Sequence, residues 1–149
     1  MTTVRHVGRA VGVTTSTTPA YRVELRSGAH QLVADEPIET GGGDVGPSPF
    51  GLLLCGLAAC TVTTMRMYAE SKGWDLGAIE VDVRYDVTDD GHASINRTIT
   101  VPAELPVEQR DRLADIAERT PVTLAVRAGT EISTRLLAPG AGPESLPHP

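Results

Sequence analysis

The chain has 149 residues, a length typical of one domain with a single hydrophobic core. Its formal net charge is −6 and its lysines and arginines are scattered, which argues against a partner with a phosphate backbone, so we expect no nucleic acid partner. It has no uninterrupted run of 18 apolar residues and no signal-peptide pattern, so we expect neither a membrane span nor secretion, and a cytoplasmic location.

The first part of the chain predicts a three-stranded antiparallel meander followed by a long loop. Residues 4–13, 21–26 and 30–34 have strand-type composition and are separated by turn signals. Residues 35–49 are rich in Gly and Pro, which favours a loop that forms the wall of a site. Its acidic residues have two interpretations, either a solvated loop surface or groups that position a proton donor near the next helix. They are Asp35, Glu36, Glu39 and Asp44.

A long apolar helix is predicted after this loop. Ser48 can cap it, Pro49 suits its first turn, and Gly73 provides a stop signal at its end. The leucines, alanines and methionines between them leave almost no polar face, so the helix must be buried. A chain of this size with only one further helix cannot cover it on all sides. We therefore expect an obligate homodimer.

A β-hairpin and an amphipathic helix are predicted in the second half. Residues 79–87 alternate apolar and polar side chains, and a turn at Asp89, Asp90 and Gly91 leads into a second strand at residues 92–101. The helix begins at Pro106 and has a single apolar stripe.

The end of the chain predicts one more strand and a tail. A short segment at residues 122–126 follows the break at Thr120 and Pro121, and residues 130–137 have the composition of a last strand. Residues 138–149 contain many Pro and Gly and no core-forming side chains. We therefore expect one domain over residues 1–137 and a disordered tail over residues 138–149.

The two cysteines are the residues most capable of chemistry. They are too few for a disulfide framework, and no Cys or His spacing indicates zinc, so neither a metal nor a cofactor is predicted. Cys55 and Cys60 lie about 140° apart around one helix, so they cannot pair within it. On spacing alone Cys60 is more simply a small buried apolar residue, because a reactive thiolate needs a cation or a hydrogen-bond donor nearby. Thr64, one turn further on, could offer a hydroxyl, although such threonines more often bond to the backbone.

A series of short motifs resembles the OsmC/Ohr family of thiol-dependent hydroperoxide reductases. The motifs run in order from the loop to the end of the long helix: Asp35-Glu36-Pro37, Gly41-Gly42, Gly46-Pro47-Ser48-Pro49, Leu52-Leu53-Leu54, Ala59-Cys60-Thr61, Met67-Tyr68-Ala69 and Lys72-Gly73-Trp74. The resemblance implies a two-layer α+β fold with antiparallel sheets and two long buried central helices. It also implies an intertwined homodimer with a site at each subunit boundary.

The same resemblance implies chemistry in which a helix cysteine attacks the distal oxygen of an organic hydroperoxide. In the family an Arg and a Glu activate this thiol, and a second cysteine closes a disulfide with it. Cys60 matches the attacking position, but Thr120 stands where the second cysteine is expected and Phe50 and Gly51 stand where the glutamate is expected.

The family's arginine has no match in the stretches that would supply it, so the Cys60 thiol is predicted to be mostly protonated at neutral pH. Other arginines could supply charge from elsewhere in the fold or from the partner subunit. The candidates are Arg22, Arg26, Arg66 and Arg127.

Two functions are consistent with this pattern. The first is a diverged redox protein of the oxidative stress response, a single-cysteine peroxidase in which Cys60 reduces a small hydroperoxide and an external thiol restores it. The second is a non-catalytic dimer that binds an apolar small molecule at the subunit interface, with Cys60 in the wall of the pocket.

Overall fold

A computed structural model of the chain describes residues 5–14 and 21–138 and has an α+β architecture. The strands and helices are, in order, β1 (Ala10–Val13), β2 (Val23–Ser27), β3 (His30–Ala34), α1 (Pro49–Ser71), β4 (Glu80–Val87), β5 (Ala93–Thr100), α2 (Val107–Glu118) and α3 (Pro121–Ala128). The strands form two antiparallel sheets, β1-β2-β3 and β4-β5. The predicted fold class, an α+β protein with antiparallel sheets, is confirmed.

The first sheet is the predicted meander, in which the third strand has the predicted bounds and the first two are shorter. Val11 lies opposite Arg26, and Leu25 lies opposite Leu32. The first strand begins only at Ala10, because residues 5–9 are irregular, and the second is shifted to Val23–Ser27. The turn at Gly28, which has a φ of +58°, connects β2 to β3 as its sequence indicates.

Helix α1 begins and ends where its local signals predict. The Ser48 hydroxyl accepts a hydrogen bond from the backbone N–H of Gly51 at 3.1 Å, and Pro49 occupies the first turn. At the other end Gly73 adopts a φ of +67°, a conformation that glycine takes without a Cβ penalty.

The burial of α1 differs from the expectation of a helix covered on all sides. Within one chain its buried side chains form a single stripe at every fourth residue: Leu57, Thr61, Met65 and Ala69. Leu53 remains 40% exposed and Met67 64% exposed on its other faces. By length and hydropathy α1 also meets the criterion for a membrane-spanning helix, which core helices of globular proteins meet as well.

One hydrophobic core joins α1, the β4-β5 hairpin and α2. Its buried members are Met65, Ala69, Leu76, Leu113 and Ala117. The hairpin confirms the predicted alternation, since Val81 and Val83 on β4 lie opposite Ile99 and Arg97 on β5. The first sheet takes no part in this core and makes at most marginal contact with the helices or with the second sheet.

The end of the chain departs from the prediction in two ways. Residues 122–126, expected as a short segment, belong to helix α3, which Thr120 and Pro121 begin. Residues 130–137 form no strand, because no other described strand lies beside them to accept and donate ladder hydrogen bonds. The two long central helices that the resemblance implies for the intertwined dimer stay a prediction, because the structure is of one chain, in which α1 has 23 residues and α2 has 12. The predicted tail lies outside the described residues from residue 139 onward.

Candidate functional site

Cys60 lies in the middle of α1, directly before the fully buried Thr61. Its side chain is half-buried, whereas Cys55 is exposed. Both cysteines are free thiols, and neither sulfur has a hydrogen-bond partner within residues 5–14 and 21–138. The Thr61 hydroxyl donates to the Leu57 carbonyl at 2.8 Å, so it bonds to the preceding helical turn. The structure thus presents Cys60 at the edge of the buried stripe of α1.

A largely buried arginine, Arg97, connects this part of α1 to the other two helices. Its Nη1 atom donates to the Thr61 Oγ1 atom at 2.9 Å and to the Thr123 Oγ1 atom at 3.0 Å. Its Nη2 atom donates to the Ala117 carbonyl at 2.8 Å and to the Glu118 carboxylate at 3.2 Å. Its side chain is only 10% exposed. A buried guanidinium is stable here because acceptors surround it and because it lies at the C-terminal end of α2, where the helix dipole is negative.

A series of hydrogen bonds connects Thr61, which follows Cys60 on α1, to Thr120. Arg97 bridges Thr61 and Thr123, and the Thr123 hydroxyl is 2.7 Å from the Thr120 hydroxyl. Thr61 and Thr120 are fully buried. Thr120, the residue in the place of the expected second cysteine, is therefore linked to α1 through the Arg97 guanidinium.

Arg97 is not one of the arginines that the sequence analysis names as possible sources of charge near Cys60, although the sequence contains a signal for it. Ile95, Arg97 and Ile99 alternate on the inward face of β5, so an arginine interrupts an otherwise apolar row. Arg22 and Arg66 are engaged elsewhere, Arg22 in an ion pair with Glu24 and Arg66 in a hydrogen bond to a loop carbonyl.

Arg127, one of the candidate arginines from the sequence, pairs with the same carboxylate as Arg97, that of Glu118. Arg97, Glu118 and Arg127 therefore form one charged cluster. Glu118 accepts from Arg97 through Oε1 and forms an ion pair with Arg127 through Oε2. The hydrogen bond from Arg127 is the main cause that lowers the pKa of Glu118 below its usual value, and the charge of Arg97 acts in the same direction. Two guanidinium groups and one carboxylate therefore give this cluster a net charge of +1.

A cavity of about 460 Å³ opens beside the cluster. Its lining comes from α1, β5, the end of α2, and α3: Leu57, Ala93, Ile95, Asn96, Arg97, Glu118, Thr123, Val126 and Arg127. Apolar side chains and the charged cluster share the wall. Cys60 is not part of this lining, although Leu57 lies one turn before it on α1.

The loop before α1 is organised by a buried carboxylate. Asp35 is 1% exposed and accepts hydrogen bonds from the backbone N–H groups of Glu36 at 2.8 Å, Gly43 at 2.9 Å and Val45 at 3.3 Å. The loop folds so tightly that a Cβ atom on Gly42 would lie 1.8 Å from the Glu36 carbonyl oxygen. Asp35 thus stabilises the loop, while Glu36 is half-buried and Glu39 and Asp44 are exposed.

The start of α1 carries an aromatic side chain in place of the expected glutamate. The Phe50 ring stacks on the Tyr85 ring of β4 with 4.7 Å between centroids, and both rings are partly exposed. This end of the helix therefore presents an apolar surface and no acidic side chain. Over residues 5–14 and 21–138, no three His, Cys, Asp or Glu side chains cluster in a way that could hold a metal ion.

Comparisons with known proteins agree on the family. A sequence profile described as OsmC-like protein matches residues 41–135. No curated protein sequence matches the chain significantly.

Similar solved structures agree on the fold. An OsmC-like protein from Mycoplasma pneumoniae has a TM-score of 0.65 at 19% identity, covering 85% of this chain and 91% of that chain. The organic hydroperoxide resistance protein OsmC of Legionella pneumophila has a TM-score of 0.60 at 19% identity, covering 84% and 92%. OhrB, an organic hydroperoxide resistance protein of Bacillus subtilis, has a TM-score of 0.57 at 22% identity, covering 83% and 93%. From this profile match and the shared fold, the chain belongs to the OsmC-like protein family.

Proposed function

We propose that this protein is a diverged, thiol-dependent organic hydroperoxide reductase in which Cys60 is the single reactive thiol. The observation that supports the proposal most is the position of Cys60, half-buried in the middle of α1 within the segment that matches the family. Three of the solved structures that share the fold are named organic hydroperoxide resistance proteins.

The proposed reaction has two stages. The ionised Cys60 sulfur attacks the distal oxygen of a hydroperoxide, so an S–O bond forms, the O–O bond breaks, and the alcohol leaves after taking up a proton. The product on the protein is a sulfenic acid. A first external thiol converts it to a mixed disulfide and water, and a second external thiol releases the Cys60 thiol and a small-molecule disulfide. No cofactor or metal is required.

Mass spectrometry of the intact protein tests this proposal directly. After treatment with cumene hydroperoxide the wild-type protein should gain oxygen atoms, and Cys55→Ala should gain them equally. Cys60→Ser should not. Cys55 is the more exposed of the two thiols, so simple accessibility would give the opposite result. Loss of oxidation in Cys55→Ala but not in Cys60→Ser would refute the assignment to Cys60.

A second candidate function is a non-catalytic dimer that binds an apolar small molecule at the subunit interface. It is favoured by the aromatic pair Phe50 and Tyr85, which replaces an acidic group with an apolar surface at the start of α1. An unmodified mass at millimolar peroxide would support this candidate, because Cys60 would then be an unreactive thiol in a pocket wall.

Both candidates include a homodimer, and two features of the chain support one. The first sheet is nearly without contacts to the helices, whereas a sheet in a stable domain buries one face against another layer. Phe50, Leu53 and Met67 on α1 are 40% exposed or more. A second copy could cover both surfaces. Sedimentation velocity should give a dimer at micromolar concentration, and a folded monomer there would contradict this part of the proposal.

A further inference from the structure

The cavity beside Arg97 combines an apolar wall with a fixed positive charge. Leu57, Ala93, Ile95 and Val126 supply the apolar part, and the Arg97, Glu118 and Arg127 cluster supplies the charge. Its volume of about 460 Å³ falls in the range of small-molecule sites, roughly 300–1,000 Å³. A site of this composition suits a ligand with one apolar and one charged end.

The sign of that charge follows from the hydrogen bonds. Arg97 donates four hydrogen bonds to protein acceptors, so its guanidinium is held in place as a largely buried positive charge. Glu118 neutralises only one of the two arginines. The net charge of +1 therefore attracts a single negative charge, and it disfavours a cation of the same size.

Arg127 is the group that can reach a ligand. Its side chain is 60% exposed. Its Nη1 atom donates one N–H to the backbone carbonyl of Glu118, and its Nη2 atom donates one N–H to the carboxylate of Glu118. A guanidinium has five N–H donors, so three remain without a protein acceptor among the described residues. These donors can pair with a carboxylate through charge-assisted hydrogen bonds.

We propose that this cavity binds a small amphipathic carboxylate. Arg127 would hold the carboxylate, and the aliphatic chain would lie on Leu57, Ile95 and Val126. The site lies within one chain and does not involve Cys60, so it goes beyond the function proposed above and does not depend on it.

Calorimetric titration with three matched probes tests the proposal. Octanoate should bind to the wild-type protein, while octan-1-ol and octylammonium should bind at least about tenfold more weakly, because only octanoate pairs with the guanidinium. Arg127→Gln should weaken octanoate binding about tenfold, and Arg127→Lys should keep part of the affinity because the charge remains. Amide shifts on octanoate addition, followed by NMR, should centre on Ile95 and Val126.

Arg84→Gln is the matched control. Arg84 lies on β4, outside the cavity lining, and pairs with the exposed Asp82, so this variant removes the same charge at a distance and should bind octanoate normally. Cys60→Ser should also bind normally, which separates this site from the peroxide chemistry. Equal affinity for octanoate and octan-1-ol, no binding of octanoate, or equal losses in Arg127→Gln and Arg84→Gln would each overturn the proposal.

Discussion

Replacement of Arg97 by alanine should be among the most destabilising single substitutions in the β4-β5 hairpin. The change removes hydrogen bonds to Thr61, Thr123 and Ala117 and an ion pair with Glu118. The Ala117 carbonyl is near the end of α2, where helical partners run out, and without Arg97 it keeps only a long hydrogen bond of 3.5 Å from the Thr123 hydroxyl, so this loss costs about 1–3 kcal/mol. The void left by the side-chain stem adds to this, whereas the half-exposed Glu118 pair adds less than about 1 kcal/mol. We expect a loss of about 3 kcal/mol in the free energy of unfolding.

Urea denaturation followed by circular dichroism, at one fixed protein concentration, measures this loss. Arg97→Met keeps the stem and should lose about 2 kcal/mol, so the difference between the two variants reports the void. Arg84→Ala on the adjacent strand is the control, since its side chain is 73% exposed and its loss should stay below about 0.5 kcal/mol. An Arg97→Ala protein within about 0.5 kcal/mol of the wild type would refute the argument that the guanidinium holds the three helices together.

Three further substitutions test other parts of the structure. Asp35→Asn should cost about 1–2 kcal/mol of unfolding free energy in the same urea assay, because an amide group accepts fewer of the three backbone N–H bonds; a loss no larger than that of the exposed Asp44→Asn would contradict this. Glu118 has a lowered pKa in the folded protein, so its ion pair stabilises the fold above the usual carboxylate pKa and that contribution is lost as pH falls through the folded value. The stability difference between wild type and Glu118→Gln should thus be present at neutral pH and should disappear as the pH falls through the folded pKa of Glu118, and a difference that stays constant on acidification would refute it. Thr120→Cys should turn peroxide oxidation of Cys60 into a disulfide, seen as a loss of two hydrogens in the intact mass, provided the two Cα atoms lie within about 7 Å; a gain of oxygen alone in this variant would contradict it.

The elements that the sequence predicted best are those defined by neighbouring residues. Ser48 and Pro49 fix the start of α1 because a cap needs only the next three residues. The β4-β5 hairpin follows from a turn and two alternating segments that are adjacent in the chain. Cys60 was placed on α1 by the same local pattern.

The elements that failed depend on distant partners. Residues 130–137 have strand composition, but a strand forms only where another strand supplies its hydrogen bonds, and composition does not specify that partner. Helix α3 was missed because it has only eight residues, fewer than the roughly 11–18 residues over which a helical period is read.

The sequence by itself thus determined the class of fold, the family and the helix that carries Cys60, because these rest on local signals and on motifs a few residues long. Only the tertiary structure decided which charges meet. Arg97 on β5 lies 36 positions from Thr61 and 26 from Thr123, yet its guanidinium bonds to both hydroxyl groups. The reason is physical: a buried charge is stable only where several acceptors converge on it, and that convergence is created by the packing of α1, α2 and α3 against the hairpin.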